Sequence, residues 1–203
     1  MRIPPHSLAF DFDGVIADTF RLFVRMARQR YNYSFEYEDI TDYEFLKCID
    51  MDRSHAFEII EVLTNEPHEL DLFPNEGARE VLGRVGSVSG VLVVTARPFA
   101  EPVELWFRRH LPEIDSGCLK VEATGINTAK LEVLTRLGVT HFVDDRLDTC
   151  RQLHDAGITP IVFSQPWNRT GHRFVSVESW QELEDLIDWD ASVGARGCAG
   201  TPG

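Results

Sequence analysis

Apolar positions along the chain follow one pattern before residue 74 and another after it. A short apolar run at Leu8–Phe10 predicts a buried strand, and from there to about residue 72 apolar side chains recur at the three-to-four-residue spacing of helices. After residue 74, fully apolar runs alternate with amphipathic stretches. Runs such as VLVVTA at 91–96 are typical of strands that are buried on both faces of a parallel sheet.

The alternation after residue 74 predicts a three-layer, Rossmann-like α/β fold with a parallel sheet. The predicted strands lie at residues 8–10, 91–96, 119–121, 141–145 and 160–163, and the predicted helices at 18–31, 53–63, 75–86, 100–110, 127–137, 148–156 and 177–189. The helical residues after the first strand are most simply interpreted as an insertion. We therefore expect an α/β core, a small helical cap and a disordered, glycine-rich tail, at residues 1–17 with 73–190, 18–72 and 191–203 respectively.

Length and charge narrow the classes of function. A chain of 203 residues suits one domain, or one domain with a modest insertion. The net charge of −13 opposes binding to a nucleic-acid polymer, although a small anionic substrate can bind where a cation lies in the site. No apolar run approaches the roughly 18 residues of a membrane span, and no leader pattern opens the chain. Four scattered cysteines without a CxxC motif predict reduced thiols in a cytoplasmic protein.

Polar side chains follow three of the predicted strands, and a lysine opens one of the helices. They are Asp11 and Asp13 after the first strand, Thr95 after the second, Lys130 at a helix start, and Asp144 and Asp145 after the fourth. Because ligands bind at the carboxyl ends of parallel strands, we expect these groups to meet at one edge of the sheet. Four carboxylates repel one another unless a divalent cation lies among them. Hard oxygen ligands without a nearby His or Cys cluster favour Mg²⁺.

The same groups suit phosphoryl chemistry. A hydroxyl and an ammonium beside the metal can hold phosphoryl oxygens. One carboxylate can then attack phosphorus to form an aspartyl-phosphate, and a second can give a proton to the leaving alcohol and later take one from water. Each residue alone has an ordinary structural interpretation, as a helix cap, a turn residue or a surface charge. Their joint occurrence at independently predicted strand and helix ends favours a functional site.

Four stretches, DFDGV, VVTAR, the helix-opening lysine and FVDD, resemble the four motifs of the haloacid dehalogenase superfamily over about residues 7–17 and 74–190. The resemblance implies an insertion at the position of that superfamily's helical cap. It also implies a role for each matching residue. Asp11 is the nucleophile and a metal ligand, and Asp13 is the general acid/base, with its backbone carbonyl on the metal. Asp145 is a further metal ligand, and Asp144 supports it or coordinates the metal through water. The residues that bind the phosphate are Thr95, Ala96, Arg97 and Lys130. Dehalogenases lack an acid equivalent to Asp13, so the resemblance implies a phosphohydrolase or phosphotransferase.

A narrower similarity appears at both ends of the chain. DFDGVIADT and VDDRLDT…PIVFSQPWNR…VESWQEL are similar to the 5′(3′)-deoxyribonucleotidase branch. That branch has Ser-Pro after the motif-two threonine, whereas this chain has Ala96-Arg97-Pro98, and whether Arg97 replaces the serine hydroxyl is left open. All four tyrosines and six phenylalanines lie near or within the predicted cap. They can stack on a nucleobase or simply form the core of a small cap.

These observations predict a Mg²⁺-dependent phosphomonoesterase that acts on a small phosphorylated metabolite, with a (deoxy)nucleoside monophosphate as the preferred substrate. The alternatives within enzymes are a sugar-phosphate or phosphoglycolate phosphatase and a phosphomutase. A non-enzymatic alternative is a catalytically silent regulator that binds a metal or a phosphorylated ligand. The intact pair Asp11 and Asp13 argues against that alternative, because a binding protein needs no nucleophile. The sequence makes no prediction about the oligomeric state.

Overall fold

Six parallel strands form a single sheet in the order β3-β2-β1-β4-β5-β6. The computed structural model describes residues 2–192. The strands are, in chain order, β1 (Leu8–Phe10), β2 (Val91–Thr95), β3 (Leu119–Ala123), β4 (His141–Asp144), β5 (Thr159–Phe163) and β6 (Val175–Val177). The predicted α/β class with a parallel sheet is confirmed.

Helices cover both faces of this sheet. They are α1 (Thr19–Tyr31), α2 (Arg53–Asn65), α3 (Ala78–Val88), α4 (Glu101–His110), α5 (Lys130–Arg136), α6 (Leu147–Asp155) and α7 (Trp180–Leu186). Because side chains alternate along a strand, Phe10, Val93 and Val143 pack on one face, among residues of α3, α4 and α7. Ala9 and Val94 point to the other face, towards α5 and α6. Both faces of the central strands are therefore buried, as their continuous apolar sequence predicts.

The residues between β1 and β2 contain α1, α2 and three short 3-10 helices at Tyr37–Asp39, Phe45–Lys47 and Pro67–Glu69. We call residues 18–72 the inserted segment. Its own interior is aromatic: the rings of Phe23 and Phe45 lie 4.7 Å apart, and Tyr31 stacks on His55 at 3.9 Å. Several of the aromatic residues noted in the sequence therefore form the core of this segment.

The chain enters and leaves the inserted segment through two paired stretches. Ala17 and Pro74 form an antiparallel bridge. The Asp18 amide donates to the Phe73 carbonyl at 3.0 Å, and the Asn75 amide donates to the Ile16 carbonyl at 2.8 Å. We call this pairing of residues 16–18 with 73–75 the neck.

The structure corrects the sequence interpretation at the end of the chain. One helix was predicted at 177–189, but Val175–Val177 forms the sixth strand and α7 begins only at Trp180. The Ser179 side chain accepts a hydrogen bond from the Glu182 amide at the start of α7, which sets this boundary. The strand was missed because it is a three-residue edge strand that is mostly exposed, and its sequence has no apolar run.

Two further expectations concern the cysteines and the tail. Cys48 and Cys150 carry free thiols, as predicted. Of the tail predicted to be disordered, the first two residues complete a 3-10 helix at Trp189–Ser192, and residues 193–203 lie outside the described part of the chain. Within residues 2–192, no helix combines the length and the hydropathy needed to cross a membrane.

Candidate active site

The centre of the sheet brings the predicted residues together. Strand β1 lies between β2 and β4, so the residues that end these three strands meet at one edge. Asp11 follows β1, Thr95 ends β2, and Asp144 ends β4. All three residues are buried, with 4%, 1% and 0% of their surface exposed. The sheet order thus explains how residues more than 130 positions apart in the chain form one cluster.

Lys130 links two of the carboxylates. It begins α5, has no exposed surface, and places its Nζ 2.8 Å from Asp11 Oδ2 and 2.9 Å from Asp144 Oδ2. Burial disfavours the ammonium ion, but the two carboxylates outweigh this effect and raise the pKa of Lys130 above its usual value. Lys130 is therefore a permanently charged group at the base of the site.

Asp145 has no such compensation. Its carboxylate is fully buried, and neither oxygen has a hydrogen-bond partner among the described residues. Burial, together with the charges of Asp144 and Asp11, raises the pKa of Asp145 well above its usual range. A buried carboxylate that lacks partners requires either a proton or a cation.

The site offers the ligands that such a cation requires. Asp11, Asp144 and Asp145 can each direct one carboxylate oxygen to a common point, with these oxygens all within 4.8 Å of one another. An all-oxygen ligand set with a net negative charge fits Mg²⁺. The unpartnered oxygens of Asp145 are the observation that supports this fit.

Gly14 allows the chain to pass close to this cluster. Its φ is +73°, and a Cβ at this position would lie 2.3 Å from Asp145 Oδ2. Any side chain here would therefore collide with the carboxylate in addition to straining the backbone. The glycine of the DFDGV stretch is thus required both by the turn and by the close approach.

Asp11 itself is tuned by opposing effects. Burial raises its pKa from the ordinary 3.8 to about 7, the Lys130 ammonium opposes the rise, and Asp144 adds to it. Asp11 Oδ1 accepts a hydrogen bond from the Phe12 amide at 2.8 Å, and Oδ2 faces Lys130. The carboxylate is therefore fixed in orientation, and a bound cation would favour its ionised form.

Asp13 has the opposite balance. Burial disfavours its ionisation, but Arg97 and the Thr19 hydroxyl outweigh burial and hold the pKa of Asp13 below its usual value. Arg97 donates from Nε to Asp13 Oδ2 at 2.9 Å and from Nη2 to Oδ1 at 2.8 Å, and Thr19 donates to Oδ1 at 2.6 Å. The side chains at positions 11 and 13 therefore differ in proton affinity although they lie two residues apart.

The residues after β2 differ in how far they remain available to a ligand. The Thr95 hydroxyl accepts only a 3.3 Å contact from the Arg97 amide, and Ala96 is half-buried beside it. Arg97 directs all three guanidinium nitrogens at protein acceptors, namely Asp13 and the carbonyls of Leu63 and Thr64. Its expected role in phosphate binding stays a prediction. Its contacts with the inserted segment could not be read from the sequence.

A cavity of about 200 Å³ opens beside Asp13 between the core and the inserted segment. Most of its lining is apolar or aromatic: Phe20, Phe23, Tyr43, Phe45, Ile60 and Leu63, with Asp13, Thr19, Thr64 and Arg97 as polar neighbours. Burial and the nearby carboxylates raise the pKa of the Tyr43 phenol well above its usual value, so it remains a hydrogen-bond donor. Sequence reasoning grouped Tyr43 with the other aromatic residues of the cap and did not single it out.

The loop after β5 supports the site from behind. Asn168 donates from Nδ2 to the backbone carbonyls of Asp145 and Phe163, both at 2.8 Å. Gln165 donates to the Gly14 carbonyl at 2.6 Å and accepts from the Tyr37 hydroxyl of the inserted segment. The PIVFSQPWNR stretch noted in the sequence was the only signal for these residues. A larger cavity, of about 1110 Å³, lies between α1, α3 and α7, and its lining includes none of the predicted site residues.

Comparison with known protein families gives one match over most of the chain. The family model described as 5′ nucleotidase, deoxy (Pyrimidine), cytosolic type C protein matches residues 6–196. Among curated proteins, none matches the chain.

Solved structures share the fold at low sequence identity. A HAD-superfamily hydrolase from Ehrlichia chaffeensis is 17% identical with a TM-score of 0.54, over 92% of this chain and 97% of that one. A HAD-superfamily hydrolase of subfamily IA from Geobacter sulfurreducens PCA is 19% identical with a TM-score of 0.54, over 91% and 96%. A dehalogenase with an intermediate complex is 15% identical with a TM-score of 0.57, over 92% and 99%. At these identities the structures support the fold alone.

Proposed function

The chain belongs to the family of cytosolic type C 5′ nucleotidases, and on this premise we propose that it is a Mg²⁺-dependent phosphomonoesterase that forms an aspartyl-phosphate on Asp11. The observation that carries the proposal is the buried group of Asp11, Asp144 and Asp145 around the Lys130 ammonium. A purely structural core gains nothing from three buried carboxylates, of which one has no hydrogen-bond partner within residues 2–192.

The residues divide into those that hold the metal and those that hold the phosphoryl group. Asp11, Asp145 and the Asp13 backbone carbonyl would hold Mg²⁺, with Asp144 binding directly or through water. Bound there, Mg²⁺ would neutralise the carboxylates and polarise the phosphoryl oxygens. Lys130 and the Thr95 hydroxyl, with the backbone at Ala96, would bind the remaining phosphoryl oxygens.

In the first step, an Asp11 oxygen attacks phosphorus and the bond from phosphorus to the leaving-group oxygen breaks. The Asp13 carboxyl gives its proton to that oxygen, so the product leaves as a neutral alcohol. In the second step, water attacks the aspartyl-phosphate and Asp13 takes the water proton, which restores both side chains and releases phosphate. The low proton affinity that Arg97 gives Asp13 suits the second step, in which Asp13 must accept a proton as a carboxylate.

We further propose that residues 18–72 act as a cap and that the 200 Å³ cavity holds the leaving group. Its flat aromatic lining, including Phe20 and Tyr43, supports a nucleobase as the group that is bound, because aromatic stacking accepts a planar ring. The proposed substrate is therefore a (deoxy)nucleoside monophosphate in the cytoplasm. Sugar phosphates and phosphoglycolate are the alternatives.

Turnover of p-nitrophenyl phosphate tests the chemistry. We expect activity with Mg²⁺, none with EDTA, recovery when excess Mg²⁺ is restored, and none for Asp11→Asn. Asp155→Asn is the matched control, because Asp155 is an exposed carboxylate at the end of α6, and it should retain full activity. Activity that resists EDTA, or an active Asp11→Asn variant, would overturn the proposal.

A substrate panel tests the leaving-group assignment separately. Nucleoside 5′- and 3′-monophosphates, deoxy and ribo, are compared by kcat/KM with sugar phosphates and phosphoglycolate. We expect the nucleotides to rank first. A panel in which sugar phosphates or phosphoglycolate far outrun every nucleotide would reject the nucleobase assignment and leave the phosphomonoesterase proposal intact.

A further inference from the structure

Arg97 connects the core to the inserted segment at the edge of the site. Its side chain is 5% exposed. Nε and Nη2 donate to the two oxygens of Asp13, at 2.9 and 2.8 Å, and Nη1 donates to the Leu63 and Thr64 carbonyls, at 2.7 and 2.9 Å. One guanidinium therefore contacts both the proposed proton-transfer group and the end of α2.

The contact with α2 is of the kind that stabilises a helix end. Leu63 and Thr64 lie in the last turn of α2, which ends at Asn65, so their carbonyls have no acceptor role within the helix. A cation placed there satisfies these carbonyls and complements the negative end of the helix dipole. The arrangement around α2 thus depends on a side chain that belongs to the core.

The contact with Asp13 fixes the orientation of its carboxylate. Oδ1 accepts from Thr19 and from Arg97, and Oδ2 accepts one hydrogen bond from Arg97. An oxygen of a carboxylate can accept two hydrogen bonds, so Oδ2 retains one free position. Asp13, Thr19 and Arg97 all line the cavity proposed for the leaving group. Oδ2 of Asp13, which can accept one more hydrogen bond, is therefore the oxygen that can exchange a proton with the leaving group.

We propose that Arg97 is a positioning residue that ties the orientation of Asp13 to the seating of α2 on the core. This inference rests on the phosphomonoesterase activity proposed above. The guanidinium bridges Asp13 and α2 when the helix is seated, and loss of α2 removes two of its four acceptors. Without the Leu63 and Thr64 carbonyls the Arg97 side chain is anchored only by Asp13 itself, so the orientation of the proton-transfer group is less tightly fixed when α2 is displaced from the core.

Arg169 supplies a matched control. It also joins the inserted segment to the core, through contacts of 2.6 and 3.2 Å with the Glu38 carboxylate, but it makes no hydrogen bond to Asp13. Arg169→Met therefore removes an anchor of the segment without disturbing the proton-transfer group, whereas Arg97→Met removes an anchor and the positioning of Asp13 together.

The first test compares kcat/KM for two leaving groups, because this ratio reports the steps up to leaving-group departure. A nucleoside monophosphate releases an alcohol that needs a proton, whereas p-nitrophenyl phosphate releases a stable phenolate. We expect Arg97→Met to lower kcat/KM by about 10²-fold for the nucleotide and by about 10-fold or less for p-nitrophenyl phosphate, given the usual contribution of general acid catalysis. Arg97→Lys keeps the charge but cannot donate to both Asp13 oxygens as the guanidinium does, so its kcat/KM for the nucleotide should lie between those of wild type and Arg97→Met.

Arg169→Met should change both substrates by a similar, small factor. Equal losses on the two substrates for Arg97→Met, or the same selective loss for Arg169→Met, would overturn the inference. If wild-type protein hydrolyses neither substrate with Mg²⁺, the proposed function fails instead, and the two failures are therefore distinguishable.

The second test needs no turnover and stands if a variant is inactive. Amide hydrogen exchange is measured for α2 and, as an internal reference, for α5. We expect faster exchange in α2 for both Arg97→Met and Asp13→Asn, since an amide holds Arg97 more weakly than a carboxylate, and unchanged exchange in α5. Unchanged protection of α2 in both variants would contradict a link between Asp13 and the seating of the helix.

Discussion

The Lys130 ammonium lies 2.8 Å from Asp11 Oδ2, and the whole Lys130 side chain is buried. The same nitrogen lies 2.9 Å from Asp144 Oδ2, so one cation is shared by two buried carboxylates. Each charge in such a buried group is needed for stability, because removing one leaves an uncompensated charge in the protein interior. Lys130 is therefore a structural requirement of the site as well as a proposed phosphate ligand.

Replacement of Lys130 should expose this dependence. We expect Lys130→Met to lower the free energy of unfolding by about 3–5 kcal/mol, as is usual when one partner of a buried pair is lost. Lys120→Met is the control, because Lys120 is 55% exposed and pairs with Glu122 at 3.0 Å, and it should change stability by less than about 1 kcal/mol. Urea unfolding measures both. Similar stabilities for the two variants would contradict the buried pairing.

Asp145 and Asp144 should respond to substitution with opposite signs in the absence of metal. Asp145→Asn removes a buried charge that has no hydrogen-bond partner in the described part of the chain, so we expect the metal-free variant to be as stable as wild type or up to about 2 kcal/mol more stable. Asp144→Asn breaks the contact with Lys130 and should lose about 3 kcal/mol. Addition of Mg²⁺ should raise the Tm of wild type but not that of Asp145→Asn. A Mg²⁺ shift that survives in Asp145→Asn would place the metal elsewhere.

Gly14 should tolerate no side chain. Gly14→Ala combines a positive φ with a Cβ at 2.3 Å from Asp145 Oδ2, whereas Gly157→Ala has a similar φ of +84° and no atom within 4 Å of its Cβ. The backbone effect of roughly 1–2 kcal/mol is common to both variants. We expect Gly14→Ala to lose a further 1–3 kcal/mol or so from the collision, together with Mg²⁺ binding. Equal thermal shifts for the two variants would show that the approach to Asp145 is not tight.

The stability of the metal-free protein should fall as pH rises from about 4 to about 7. The pKa of Asp11 in the folded protein is about 7 against an ordinary 3.8, so the folded state holds a proton that the unfolded state has already lost. The contribution of Asp11 to the free energy of unfolding is complete below pH 3.8 and is lost as the pH rises through about 7. Asp145, whose pKa is also raised, adds in the same direction. Tm measured across this range in EDTA should show the decrease, and Asp11→Asn should reduce it; a Tm that rises through the window would refute the assignment.

The sequence was sufficient to predict where the cluster lies because most of its members end apolar strands. Asp11, Thr95 and Asp144 can be placed at strand ends from hydrophobicity alone, and parallel strands bring such ends together. The family resemblance of the motifs then agreed with the family match. The predictions of which residues touch metal or phosphate remain predictions.

What the sequence could not supply was contact between distant polar side chains. The pairing of Arg97 with Asp13 and with α2, and the support of Asp145 by Asn168, join residues whose spacing carries no periodic signal. Strand β6 was not predicted for a related reason: a short, exposed edge strand has no buried face that would impose an alternating pattern on its sequence. Burial patterns reveal the elements, whereas polar partners depend on how loops meet in space.

The neck has a consequence for engineering the chain. Residues 16–18 and 73–75 are hydrogen-bonded to each other, so the two ends of the inserted segment lie side by side on the core. A turn of a few residues could close that gap with little loss of chain entropy, and a foreign helical hairpin could be spliced in at the same two points. Such a replacement would leave Asp11, Asp144 and Asp145 in the core. Asp13 would lose the Thr19 hydroxyl and Arg97 would lose the Leu63 and Thr64 carbonyls, so a foreign segment must supply equivalents of these contacts.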